Sequence, residues 1–106
     1  MRSYIAWLVL LAMLSIVIQP VLAAEFSIYV FDSDSKMPVK NAFIRVWEES
    51  NLVDNGNADN NGLFITYLDD GRRYHIKAQY FDKWDEKLDY LAESAKSNKI
   101  NLSLHA

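Results

Sequence analysis

From residue 25 to its end the chain repeats one pattern, apolar and polar positions alternating in short runs between clusters of turn formers. In EFSIYVFD, Phe26, Ile28 and Val30 fall on one face and Ser27, Tyr29 and Phe31 on the other, the period of a β-strand. DSDSKMP ends that run with turn formers and Pro38. NAFIRVWEE sets Ala42, Ile44 and Val46 against Phe43, Arg45 and Trp47. NLVDNGNADNNG is polar and turn-rich, with a short strand expected at Leu52-Val53. LFITYL is a third strong run, and DDG turns it. RRYHIKAQYF sets Tyr74, Ile76 and Ala78 against His75, Lys77 and Gln79. In DKWDEKLDYLAESAKS, Trp84, Leu88 and Leu91 fit a helix as well as an irregular strand. NKINLSLHA closes with Ile100, Leu102 and Leu104 on one face. Short strands at about 8–12-residue spacing predict an all-β chain, a small antiparallel β-sandwich of about seven strands. Its first and last strands are expected to run close together.

Residues 1–24 read differently. Arg2 is their one cation, an almost uninterrupted apolar run goes from Ile5 to Ile18, and Gln19-Pro20 breaks it before Val21-Leu22-Ala23. A basic start, an apolar middle and a small-residue exit predict a secretory signal peptide, cut after Ala23 or Ala24. The apolar run falls short of the roughly 20 residues that span a bilayer as a helix. An uncleaved membrane anchor is the alternative, with Val21 to Ala24 in the membrane. No cysteine stands at the exit, so a lipid-modified form is excluded. The predicted division is therefore 1–24 as signal or anchor and 25–106 as one domain.

Removing residues 1–24 takes away one cation and no acid, so the formal charge moves from −3 to about −4. That argues against nucleic acid, which needs a basic face. With no cysteine the domain has no disulfide and must rely on its core. Its many aromatics help, each burying about 150–250 Å².

The order of these runs resembles the carboxypeptidase regulatory-like family, transthyretin-like domains close in fold to Cna-type B repeats. The resemblance rests on YVFDSDSKMPVKNAFIRVWEE followed by NADNNGLFITYLDDGRRYHIKA. The family's first strand ends in Asp and leads to a Pro-Val-x-x-Ala turn, here Pro38 to Ala42. Its Asp-x-x-Gly turn is matched by Asp59-Asn60-Asn61-Gly62 before Phe64. Leu68, Gly71, Tyr74 and Ile76 match the next strand pair, and INLSLHA the final strand of alternating leucines. Arg72 and Arg73 stand where one residue is common, implying a bulge or a longer turn. The resemblance covers nearly all of the chain after residue 24 and implies a prealbumin-like Greek-key sandwich, a carbohydrate-binding-like fold. It implies no single activity, since fold does not fix function. Cna-type B domains often carry a Lys–Asn isopeptide assisted by a Glu. Here the first strand has no Lys, Asn101 has no partner and Ala78 stands at the Glu position, so no such bond is expected.

Candidate chemistry is sparse. Asn57, Asp59 and Asn61 sit two apart before Gly62, like half of a calcium loop. A complete EF-hand loop needs a bidentate acid at its twelfth position, and counting from Asn57 that position is Leu68. The expectation is a structural turn at Asp59 and Gly62, with Asn60 or Asn61 sharing the positive φ, and a second turn at Gly71. His75 should face away from the core as a solvated strand histidine. Pairing with Asp69 or Asp70 would make a base only beside a nucleophile that no motif supplies. His105 is distant in sequence, and two histidines are thin for zinc. The hydrolase relatives of transthyretin carry more histidines and a distinctive C-terminal tetrapeptide. No cofactor, metal or catalytic residue is therefore expected.

The remaining candidates are Tyr80, Phe81, Trp84 and Tyr90, aromatics standing among Asp82, Asp85, Glu86 and Asp89. Rings stack on sugars while acids accept hydroxyl protons, and an exposed aromatic patch also fits a protein partner. The competing and favoured expectation has Tyr80 or Phe81 with Trp84 covering an open sheet edge or capping the core, Trp84 as a core residue. The expected function is an exported, non-catalytic module for protein interaction or adhesion, periplasmic, extracellular or at the cell surface. A carbohydrate-binding module built around Trp84 is the alternative, and a transthyretin-like hydrolase stands third. A membrane would be met only through an uncleaved N-terminal segment.

Overall fold

A computed structural model describes residues 23–106, so all but the last two residues of the expected signal segment lie outside the described residues. Seven strands follow in order: β1 (Ala23–Asp32), β2 (Phe43–Glu48), β3 (Asn51–Asn57), β4 (Leu63–Asp69), β5 (Arg73–Tyr80), β6 (Lys83–Leu91) and β7 (Lys99–Leu104). They form two sheets, β4-β1-β7 and β3-β2-β5-β6, packed as a sandwich. β1 starts at Ala23, which pairs with Asp69, so a cut after Ala23 or Ala24 would trim only the start of that strand.

The core is built from the alternation. Phe26, Ile28 and Val30 from β1, Leu68 from β4 and Ile100, Leu102 and Leu104 from β7 meet Ile44, Val46, Tyr74, Ile76 and Ala78 from the other sheet, all buried. Nearly every one of these side chains lies on the face that period-two spacing assigns, because a one-residue slip would turn the apolar set to water. Burial of each large aliphatic side chain stabilises by about 1.5–3 kcal/mol.

One sequence expectation is overturned, one is extended and one open choice is decided. The first and last strands are neighbours, but β1 and β7 run parallel, while the other pairings are antiparallel. The short strand expected at Leu52-Val53 extends through Asn57, because β2 offers it a full ladder with one bulge between Val46 and Trp47. The ambiguous segment after Asp82 is a strand, paired with β5 through a bulge between Tyr74 and Ile76.

β6 runs alongside β7 of the opposite sheet and bridges to its end, and its sequence is mixed. Its inward positions opposite Ala78 and Ile76 hold Asp85 and Lys87 instead of apolar residues. Asp85 Oδ2 accepts the Ser103 N–H at 2.9 Å, and Trp84 and His105 exchange two backbone hydrogen bonds of 3.0 and 3.2 Å. These bonds occupy backbone groups on the open side of β7, where an edge strand is otherwise exposed to unwanted pairing. At the opposite corner, the buried Thr66 hydroxyl donates to Asp54 Oδ2 at 2.7 Å, and the Phe64 ring lies over Gly56.

Candidate recognition surface

The turn after β3 is structural. Asp59 Oδ1 accepts the N–H groups of Asn61 and Leu63 at 2.8 and 3.0 Å, so this carboxylate oxygen is committed to the backbone. Gly62 has φ +73°, and the site of a Cβ there lies 2.5 Å from the Val30 carbonyl oxygen. Its own carbonyl accepts the Val30 N–H at 2.8 Å. The turn therefore seats directly on β1. Neither Asn60 nor Asn61 shares the positive φ; Gly62 alone takes it here. Gly71, φ +84°, makes the turn between β4 and β5, with Arg72 beside it bound to Glu48 at 2.8 Å.

The four aromatic candidates separate. Tyr90 faces inward, packed edge-on against Phe26 with ring centres 6.3 Å apart. It is half-buried and belongs to the core, because the bulge in β6 turns that end of the strand back over the sandwich. Tyr80 and Phe81 stand at the tip of the β5–β6 hairpin, where Phe81 is 80% exposed. Its backbone is left-handed, φ 54°, a conformation unfavourable for a bulky side chain. Trp84 pairs with Gln79 and so points out of the sandwich, 39% exposed. The expectation that Trp84 is a core residue is thus overturned: the strand register, not side-chain size, decides which way it faces.

Strand pairing lays the outer face of this sheet out in rows. The first row runs Asn57, Phe43, Gln79, Trp84 across β3, β2, β5 and β6. The second runs Asn55, Arg45, Lys77, Glu86. The third brings Leu52, Trp47 and His75 together. Arg45 lies between two rings of its own strand, its guanidinium carbon 5.5 Å from the centre of Phe43 and 5.1 Å from that of Trp47. The Lys77 ammonium rests 5.3 Å from the centre of the Trp84 ring. Phe43, Arg45 and Trp47 escaped the candidate set, although their outward alternation opposite a buried Ala-Ile-Val face was the signal that could have found them.

His75 faces outward and stays partly exposed, as expected, but its ring is engaged by two neighbours. Its Nε2 lies 2.7 Å from Glu86 Oε2, and its ring stacks on Trp47 with centres 4.8 Å apart. Asp69 and Asp70, its candidate partners, are engaged elsewhere, Asp69 near Arg72 and Asp70 through two 2.7 Å bonds from Ser94. The Ser94 bonds hold the Asp70 carboxyl below its ordinary range. Asp70 lines an open concavity of about 540 Å³ with Gly71, Leu91, Glu93, Ser94 and Ala95, at the end of the sandwich away from the Phe81 tip. Near that tip, Lys83 donates to Asp32 Oδ2 at 2.7 Å, and this bond, with the N–H groups of Ser35 and Asp34, brings the Asp32 carboxyl down to about 2.

The arrangement offers exposed rings, two cations and side-chain amides on one sheet face, next to an aromatic hairpin tip. Comparison with protein-family models, with curated proteins and with solved structures found no match to this chain.

Proposed function

We propose that this is an exported, non-catalytic adhesion or interaction module of the cell envelope, and that it engages its partner through the outer face of the β3-β2-β5-β6 sheet and the Phe81 tip. The observation that carries this reading is the continuity of exposed rings there, Phe43 and Trp84 flanking Gln79, with the Tyr80 and Phe81 rings 4.6 Å apart at the hairpin end. A cluster of exposed apolar rings marks an interaction site more often than chance exposure does. The signal-like N-terminus supports export, and the resemblance to carboxypeptidase regulatory-like domains supports a module that need not be an enzyme. His75, stacked on Trp47 and bound to Glu86, has no hydroxyl or thiol among its polar contacts, which disfavours the hydrolase reading.

A protein partner is the general reading of such a patch. The outward position of Trp84 on a sheet face favours a second, a glycan, because an indole set there can stack against a sugar ring. The test places a photo-crosslinking amino acid at Phe81 or, as control, at Ile65 on the outer face of the other sheet, in the full chain expressed in its source cells. Adducts from position 81 and not from 65 are expected. Adducts from 65 alone, or from neither, overturn the assignment of the surface.

A further inference from the structure

We propose that the outer face of the four-stranded sheet binds an acidic polysaccharide, a chain of uronic-acid residues, with Arg45 and Lys77 holding its carboxylates and Trp84 stacking on its sugar rings. The proposal rests on the glycan reading above and names the class of glycan.

Arg45 and Lys77 are direct cross-strand partners on the outer face. Like charges set opposite one another destabilise a strand pair. The one acid in their row, Glu86, already bonds His75 at 2.7 Å. Among the described residues, neither Arg45 nor Lys77 takes part in an ion pair. In an acidic chain, formal charge −3, Arg45 and Lys77 thus stand together in the middle of one face with no direct ion pair among the described residues.

Arg45 is also held in place. The Phe43 and Trp47 rings flank the Arg45 guanidinium, and its buried Nε has no hydrogen-bond partner. A planar guanidinium restrained in this way presents its donors as a fork that fits a carboxylate. Lys77 has a flexible stem and rests over the Trp84 ring only through a cation–π contact. A uronate can draw that ammonium onto its carboxylate while its ring takes the vacated indole face. The amides of Asn55 and Gln79, in the same rows, suit sugar hydroxyls.

One feature of the layout disfavours a protein: interfaces between proteins are enriched in aromatic residues and Arg but depleted of Lys, and here Lys77 stands in the middle of the face.

Affinity electrophoresis of the exported protein through gels holding polygalacturonate, its fully methyl-esterified form or poly-glutamate tests the proposal. Retention by polygalacturonate is expected, at least tenfold stronger than by the methyl ester and weakening with salt. Arg45→Gln and Lys77→Gln should each lower it several-fold, and Arg45→Lys should fall between wild type and Arg45→Gln, with thermal melts confirming that each variant folds. Equal retention by the methyl ester overturns the acidic assignment and leaves the glycan reading standing. Equal retention by poly-glutamate replaces the glycan with an acidic protein segment. No retention by polygalacturonate, alginate or hyaluronan overturns the proposal, while the crosslink from position 81 decides the surface separately.

Discussion

Two of the turns that take left-handed backbone in this domain do so with opposite residue choices. Between β3 and β4 the position is a glycine, Gly62, pressed against Val30 and capped by Asp59. Between β5 and β6 it is Phe81, fully out in water. At the first, residue type and backbone agree, and the turn is part of the scaffold. At the second they conflict, since an L side chain pays about 1–2 kcal/mol in this region. Strain of that kind persists where something other than stability selects the residue. The contrast separates a turn that holds the fold from one that we assign to recognition, although both lie at the same end of the sandwich.

The largest expected effect lies at Gly62. Gly62→Val combines an unfavourable φ with a Cβ 2.5 Å from the Val30 carbonyl oxygen and 3.1 Å from Pro38. It should cost about 3 kcal/mol or more in a urea melt. Gly71→Ala is its control: φ is +84° but nothing lies within 4 Å, so about 1 kcal/mol is expected. Equal losses at the two glycines would remove the seat on β1 from the account.

Trp84→Ala comes next, as a probe of the tip side. A buried Trp would cost about 3–5 kcal/mol. On the outer face, with a cation–π contact and a stacked His105, the loss should be about 1 kcal/mol, with binding lost instead. A loss above 3 kcal/mol would return Trp84 to the scaffold.

Phe81→Asn should do the reverse of Gly62→Val. Asn tolerates left-handed backbone, so stability should hold or rise by up to about 1 kcal/mol while partner capture falls. A clear drop in melting temperature would show that the Tyr80 contact matters more than the strain.

The smallest effect concerns Asp32, beside the same hairpin. Its folded pKa is about 2 against an ordinary 3.8, so its ionised form favours the folded state. That contribution is complete above the ordinary value and fades as pH falls through the folded one. Asp32→Asn should therefore lower the melting temperature modestly at neutral pH, and the gap to wild type should close between about pH 4 and pH 2. A gap that stays constant over that range would mean that Asp32 acts through turn geometry and not through its charge.

Much of the scaffold was legible in the chain. Phe26, Ile28 and Val30, and Ile100, Leu102 and Leu104, announced their faces by alternation, and Gly62 announced its turn by standing three residues after Asp59. The candidate surface was half legible. Phe81 and Trp84 stood out by type, whereas Tyr90 was misread because a bulge in β6 reverses the parity that alternation assumes. Arg45 was overlooked because a cation on an outward face looks like ordinary solvation until its neighbours are known.

The sequence by itself determined that this is an all-β chain, where most of its strands begin and end, and which side of most strands meets the core. Those properties are local: period-two spacing, turn chemistry and the conformational freedom of glycine act within a few residues. Only the tertiary structure decided that β1 and β7 run parallel, that β6 meets β7 with Asp85 bound to the Ser103 N–H, and that Arg45 stands opposite Lys77 with Glu86 turned to His75. Each of these is a pairing between strands far apart in sequence. Alternation says which face a residue occupies but not which strand lies beside it, and the chemistry of this surface depends on the neighbour.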